Sequence, residues 1–159
     1  MIPVYLSIGS NIDREVNIRS GVAALESLFK QISCSPVYES EAFGFSGERF
    51  YNLVVLLKTE LPVNEVQLHL REIEKRHGRL RSEKKFSART LDIDLLLYGD
   101  LIRHDDRISV PRDEIEHYPF VLKPLIDIDA HLVHPKSGKV LAELWQDMLV
   151  SKGDSLWSI

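Results

Sequence analysis

Asp92 and Asp94 stand two residues apart in a run that is otherwise apolar, Leu91-Asp92-Ile93-Asp94-Leu95-Leu96-Leu97. Its length and composition are those of a strand, and in a strand residues i and i+2 leave the same face. The two carboxylates therefore share a face, with Cα atoms roughly 6–7 Å apart. Anions held this close on an apolar strand repel one another, and a bound divalent cation relieves that repulsion. The window just before them carries the opposite charge. From Lys75 to Arg89 there are seven cations (Lys75, Arg76, Arg79, Arg81, Lys84, Lys85, Arg89) and one acid, Glu83. A carboxylate pair beside an arginine-rich loop suits a metal-bound polyphosphate. Each feature alone has a plainer explanation: an Asp-x-Asp strand as a solvated edge or salt-bridge partner, a basic loop as solvated surface.

The elements that must position these groups follow from periodicity. Val4 to Ile8 reads as a strand closed by the turn cluster Gly9-Ser10-Asn11. A helix follows to about Gln31, with Ile18, Val22, Leu25, Phe29 and Ile32 as its core-facing stripe. Cys34 to Ser40 reads as a second strand with Cys34 buried in it, Glu41 to Arg49 as a glycine-bearing loop, and Phe50 to Thr59 as a third strand. Pro62 suits the first turn of a second helix. Val63, Val66, Leu70 and Ile73 form its buried face, and Gly78 stops it. The basic loop and the Asp92/Asp94 strand, running to Tyr98, complete a β-α-β-β-α-β order. This predicts an α+β, ferredoxin-like core: an antiparallel sheet with helices on one face. Residues 99–159, with Pro111, Pro119, Pro124 and Pro135, read as a C-terminal extension packed on that core, so residues 1–159 form one domain.

Composition narrows the function. Of 159 residues, 44% are hydrophobic and 28% charged, the balance of a soluble globular protein. The net charge is −4, so outside the basic window the chain carries −10, which argues against general nucleic-acid binding and for a small, highly charged ligand. One cysteine excludes an internal disulfide and a cysteine metal cluster. No apolar run approaches the ~18 residues of a membrane span, and the first residues lack a basic, signal-like segment. A cytoplasmic setting without a membrane partner is expected. The six histidines show no metal-ligand spacing and read as surface or structural; Trp145 and Trp157 read as packing residues.

Several motifs in order, Ile8-Gly9-Ser10-Asn11, Tyr51-Asn52, Glu74, Gly78-Arg79-Leu80-Arg81, Ala88-Arg89-Thr90-Leu91-Asp92-Ile93-Asp94, Val110-Pro111 and Phe120-Val121-Leu122-Lys123-Pro124-Leu125, give a near end-to-end match. The chain resembles the 6-hydroxymethyl-7,8-dihydropterin pyrophosphokinases, folate-pathway enzymes that move a pyrophosphoryl group from ATP to a pterin alcohol and release AMP. The resemblance implies that Asp92 and Asp94 bind two Mg²⁺ ions bridging the ATP phosphates. It implies that Arg79, Arg81 and Arg89 are catalytic guanidinium groups on a loop that closes over the nucleotide. Asn52 then hydrogen-bonds the pterin, Phe120 stacks on it, Ser40 offers a backbone contact, and Phe43 and Phe50 line the pocket or the core. Glu74, Arg81, Phe86, Arg89, Arg107, Ser109 and Arg112 fall at ATP-contacting positions. Glu74 has a second reading as the partner of Arg71 on its own helix, and Phe120 as a core residue. The implied partners are small molecules, ATP and a hydroxymethyl pterin, with the protein a monomer.

Some positions depart from the family pattern. Arg112-Asp113 stand where the family has His-Tyr, Tyr118 where arginine is usual, Phe86 for tryptophan, Ser87 for glycine and Glu41 for proline. They motivate an alternative, a degenerate paralogue that binds pterin or nucleotide without efficient catalysis. A third reading, a ferredoxin-like nucleic-acid module using the basic loop, is opposed by the acidic remainder and the absence of aromatic RNA-binding strand motifs.

Overall fold

The computed structural model describes residues 1–41, 48–78 and 90–153. Among them a four-strand path runs β2 (Ile32–Cys34), β4 (Phe50–Thr59), β1 (Ile2–Ser10), β5 (Asp92–Tyr98), with β3 (Tyr38–Ser40) also paired to β4. Every pairing in this sheet is antiparallel. With α1 (Arg14–Phe29) after β1 and α2 (Val63–Arg76) after β4, this is the expected βαββαβ core. The strand expected from Cys34 to Ser40 is broken in two. Ser35 turns its hydroxyl onto the backbone N–H of Val54 at 2.9 Å, and Pro36 lacks the N–H a continuous ladder needs. Cys34 is exposed, not buried as expected, because it lies on the outermost strand of that side.

Period-2 alternation divides the sheet into two faces. Val4, Leu6 and Ile8 of β1, Leu53, Val55 and Leu57 of β4, and Ile93 and Leu95 of β5 pack against Ile18 and Leu25 of α1 and Val63, Val66, Leu70 and Ile73 of α2. The core helices α1 and α2 share that one face, as expected, and the opposite face is covered by the C-terminal extension. The C-terminal extension folds into α3 (Glu114–His117), α4 (Pro119–Asp129) and α5 (Leu141–Lys152). Their residues Ile115, Val121, Leu122, Leu125, Leu141, Leu144 and Met148 bury Tyr5, Val54, Leu96 and Leu97. The sequence pattern hid this second layer, since Pro119 and Pro124 suggested short pieces. Pro119 in fact occupies the first helical position of α4, where a missing N–H costs nothing.

The second face is apolar only at one end. Along β1 it runs Tyr5, Ser7, Gly9; along β4, Leu56, Val54, Asn52, Phe50; along β5, Leu96, Asp94, Asp92. A bulge in the β1–β5 pairing between Tyr5 and Leu6 inserts one extra residue in β5 and sends both Leu96 and Leu97 into the second core. Beyond the bulge the two aspartates keep regular register. Where the apolar side chains under the C-terminal helices end, the polar end of the face begins. A further antiparallel hairpin, β6 (Arg103–His104) and β7 (Ser109–Val110), follows β5. Among the described residues no helix is long and apolar enough to cross a membrane.

Candidate active site

Antiparallel register lines up one row of residues across the sheet. Tyr38 faces Asn52, Asn52 faces Gly9, and Gly9 faces Asp92; in the next row Ser7 faces Asp94. Asp92 and Asp94 are partly exposed while Ile93 between them is fully buried on the other side, as the i, i+2 argument requires. Gly9 matters for what it lacks. A Cβ there would stand 3.3 Å from the Asn52 Oδ1 and 3.8 Å from the Phe50 ring. The glycine leaves a flat floor between the Asn52 amide and the Asp92 carboxylate.

The Asn52 amide is oriented from the next strand, its Nδ2 donating to the Ser40 Oγ at 2.8 Å. Ser40 and Asn52, both expected at the pterin, are therefore brought together, and Phe50 pairs with Ser40 in register. Phe120 sits in the first turn of α4, partly buried against the second core. Its ring stacks on Tyr118, centroids 5.2 Å apart and 17° from parallel. Arg14 lies with its guanidinium 3.9 Å from the Tyr51 ring centroid, on the opposite side of β4 from Asn52.

The aspartate strand is held from behind by α2. Glu74 is buried, at 1% exposure, and its Oε2 accepts the backbone N–H of Ile93 at 2.7 Å. Its other oxygen accepts a hydrogen bond from Arg71 Nη1, and Arg71 Nη2 donates to the Ile93 carbonyl at 3.3 Å. Both backbone groups of Ile93 that point off the sheet are thus taken by an ion pair on the helix. Burial pushes the Glu74 carboxyl above the usual carboxylate range, against the pull of Arg71 and the Ile93 N–H. The pairing with Arg71 expected of Glu74 is present.

A cavity of about 610 Å³ lies beside this strand, lined by Gln67 and Arg71 of α2, Leu95, Asp105 and Arg107 of the hairpin turn, Ser109 and Arg112 among others. The size suits a small organic ligand. Arg107, Ser109 and Arg112, expected at ATP, meet here; Glu74 does not line it. Arg71 and Gln67 were not singled out as ligand contacts. Asn64, Gln67, Arg71 and Glu74 step by three, four and three beside the apolar stripe of α2, and that polar stripe was the readable signal. The hairpin turn is organised by Asp105, whose carboxylate accepts the N–H groups of Ile108 and Arg107 at 2.9 Å and the Arg103 Nε at 2.6 Å. These three donors, the Ile108 N–H foremost, hold Asp105 down at about 2. Ser109 Oγ lies 2.9 Å from His104 Nδ1, and the Arg107 carbonyl accepts from Gln67 Nε2 at 3.1 Å.

Arg112 sits between cavity and carboxylates. Its Nη2 is 3.7 Å from Asp94 Oδ1 and its Nε 3.1 Å from Glu114 Oε2. Its backbone N–H donates to the Leu96 carbonyl at 3.0 Å, tying it to the aspartate strand. Burial works against the guanidinium charge, but Asp94, Glu114 and Asp92 raise its pKa on balance. Phe43, Arg79, Arg81, Phe86 and Arg89 lie outside the described residues.

The donor chemistry can be tested against a metal ion. Two carboxylates on one face fit a hard divalent cation that keeps water or phosphate oxygens in its remaining positions. Among the described residues no group of three or more His, Cys, Asp or Glu side chains is placed to hold a metal ion.

Residues 5–130 match the family model described as 7,8-dihydro-6-hydroxymethylpterin-pyrophosphokinase (HPPK). A 2-amino-4-hydroxy-6-hydroxymethyldihydropteridine pyrophosphokinase of Aquifex aeolicus is 37% identical over 145 residues, covering 90% of each chain. A protein of the same name from Haemophilus influenzae is 32% identical over 148 residues, covering 91% of each. Among solved structures, a wild-type HPPK-DHPS chain of Plasmodium falciparum with SDX-DHP shares the fold at a TM-score of 0.70 and 15% identity. That likeness covers 99% of this chain and 46% of the longer one.

Proposed function

The chain belongs to the 7,8-dihydro-6-hydroxymethylpterin-pyrophosphokinase family, and from that premise we propose that it transfers the terminal pyrophosphoryl group of ATP to the hydroxymethyl oxygen of 6-hydroxymethyl-7,8-dihydropterin, releasing AMP. The observation that carries this reading is the single row Asn52–Gly9–Asp92. It sets a planar-ligand floor next to a carboxylate pair, with an arginine-bearing cavity on the far side of that pair.

The residues divide the work by their chemistry. The Asn52 amide offers a donor and an acceptor to the pterin edge, and Ser40, Phe43, Phe50 and Phe120 supply backbone contact, lining and stacking. Arg107, Ser109 and Arg112, with Arg71 and Gln67, hold the nucleotide. Arg79, Arg81, Phe86 and Arg89 close over it, the guanidinium forks matching phosphate oxygens and staying charged at any working pH. Glu74 acts as a positioning residue, setting the height of β5 through Ile93. Two Mg²⁺ ions held by Asp92 and Asp94 supply neutralisation of phosphate charge when bound. Catalysis by the chain itself is then alignment: the row across the sheet points the pterin alcohol at the β-phosphorus, and the arginines keep water away from it. The protein acts as a cytoplasmic monomer on these two small molecules.

The test is the nucleotide product. Incubation with ATP, Mg²⁺ and 6-hydroxymethyl-7,8-dihydropterin yields AMP and the pterin diphosphate. Release of ADP, or no turnover with this pterin, refutes the assignment. ATP binding without AMP formation identifies a binding-only paralogue instead.

A further inference from the structure

The side chain between cavity and carboxylates has a consequence for how the site fills. Arg112 is held at two anions, Asp94 at 3.7 Å and Glu114 at 3.1 Å. Its side chain is 29% exposed, that of Asp94 15% and that of Glu114 25%, so water screens this cluster only in part. The backbone of Arg112 is tied to Leu96, two residues beyond Asp94, which keeps the root of its side chain beside the aspartate strand. It also borders two cavities, the larger one and a smaller one of about 260 Å³ lined by Ser109, Asp113, Glu114, His117 and Tyr118.

Resting on the two-carboxylate metal reading, we propose that Arg112 is a charge filter that makes the site take a divalent cation together with its polyphosphate and resist the bare cation. The reasoning is Coulombic. A dication arriving alone at Asp94 competes with the resident guanidinium for the same carboxylate and is repelled by it at close range. A cation arriving with a polyphosphate brings its own anions. Arg112 can then leave Asp94 for phosphate oxygen, to which a guanidinium binds bidentately. Glu114 holds the Nε side of the same guanidinium throughout and keeps the displaced head at the cavity wall. The same residue therefore weakens metal binding to the empty protein and strengthens it in the presence of nucleotide.

The experiment measures Mn²⁺ binding by calorimetry and electron spin resonance on the whole protein, with and without α,β-methylene-ATP, which cannot be cleaved at the bond in question. Arg112→Gln should tighten binding of Mn²⁺ alone about fivefold, the upper end for a partly exposed ion pair. It should weaken binding of Mn²⁺ with the analogue by a similar factor. Arg112→Lys keeps the charge and should leave the affinity for Mn²⁺ alone within about twofold of the parent. Thermal unfolding of both variants confirms that they are folded. Unchanged or weaker binding of Mn²⁺ alone in Arg112→Gln overturns the filter, and so does an equal tightening in Arg112→Lys. If the parent protein binds no Mn²⁺ with or without the analogue, the metal assignment of Asp92 and Asp94 fails, an outcome distinct from failure of the filter.

Discussion

Glu74 accepts the backbone N–H of Ile93 at 2.7 Å, so a buried carboxylate on a helix fixes the residue that separates the two aspartates. Removing it leaves Arg71 without its carboxylate partner and the Ile93 N–H without this acceptor. Glu74→Ala should cost about 3 kcal/mol of stability, the scale for breaking a buried pair, read by urea unfolding. Glu74→Gln keeps an oxygen for Ile93 and should retain more of both stability and turnover. Equal damage from the two variants would show that charge, not the strand contact, is what matters.

Asp92→Asn and Asp94→Asn should each reduce AMP formation at least about a hundredfold, the scale of losing one electrostatic partner of developing charge. Their unfolding midpoints should stay close to the parent's, because both side chains leave the polar end of the face. Chelation of divalent cations should abolish turnover in the parent. Near-full activity in either variant would remove that aspartate from the site.

Gly9→Ala tests the proposed pterin floor. The added methyl meets the Asn52 amide at 3.3 Å and must displace it. KM for the pterin should rise about tenfold, the equivalent of ~1.4 kcal/mol of lost contact. Binding of the nucleotide analogue, proposed to sit on the far side of the carboxylates, should not change. A rise in nucleotide KM of the same size would mean the methyl disturbs the strand itself.

Asp105→Ala removes the acceptor that gathers the Arg107 and Ile108 N–H groups. The hairpin turn should loosen and KM for ATP rise several-fold, with the pterin KM unchanged. Steady-state kinetics with each substrate varied in turn separates the two.

His134 gives the fold a pH dependence. It is 1% exposed, its Nδ1 accepts the N–H groups of Lys136 and Ser137 at 3.2 and 3.1 Å, and burial lowers its pKa despite Glu116 nearby. In the unfolded chain the imidazole takes a proton near 6.5, while the folded site takes it only at lower pH. Stability is therefore full above pH 6.5 and declines as pH falls below it, by at most about 1.4 kcal/mol per pH unit from this group. The unfolding midpoint should drop between pH 7.5 and 5.5, and His134→Gln should flatten the drop. An unaltered slope in the variant would assign the effect to other groups.

Much of this was legible because sheet parity is a short-range rule. Alternation along residues 91–97 was enough to put Asp92 and Asp94 on one face, and the apolar stripes of both core helices emerge from spacing, except that Ile32, counted with the first helix, lies in β2. Parity could not reveal which strand lies opposite which, so the Asn52–Gly9–Asp92 row had to come from the register. Arg71 and Gln67 went unnoticed because charged and amide residues on an exposed-looking helix stripe carry no signal of their own until a hairpin from residues 103–110 is folded against them. The layer made by α4 and α5 was obscured by prolines whose helical positions depend on local geometry.

The two off-sheet backbone groups of Ile93 have a meaning beyond catalysis. Among the described residues β5 is the outermost strand on its side, and an open strand margin is a template on which another chain can add its own strand. Arg71 and Glu74 occupy that template at Ile93, and the backbone of Arg112 occupies it at Leu96. The groups that hold Ile93 and Leu96 in place thus also occupy backbone positions that an added strand would need. Loss of Glu74 should be visible in light scattering as concentration-dependent self-association.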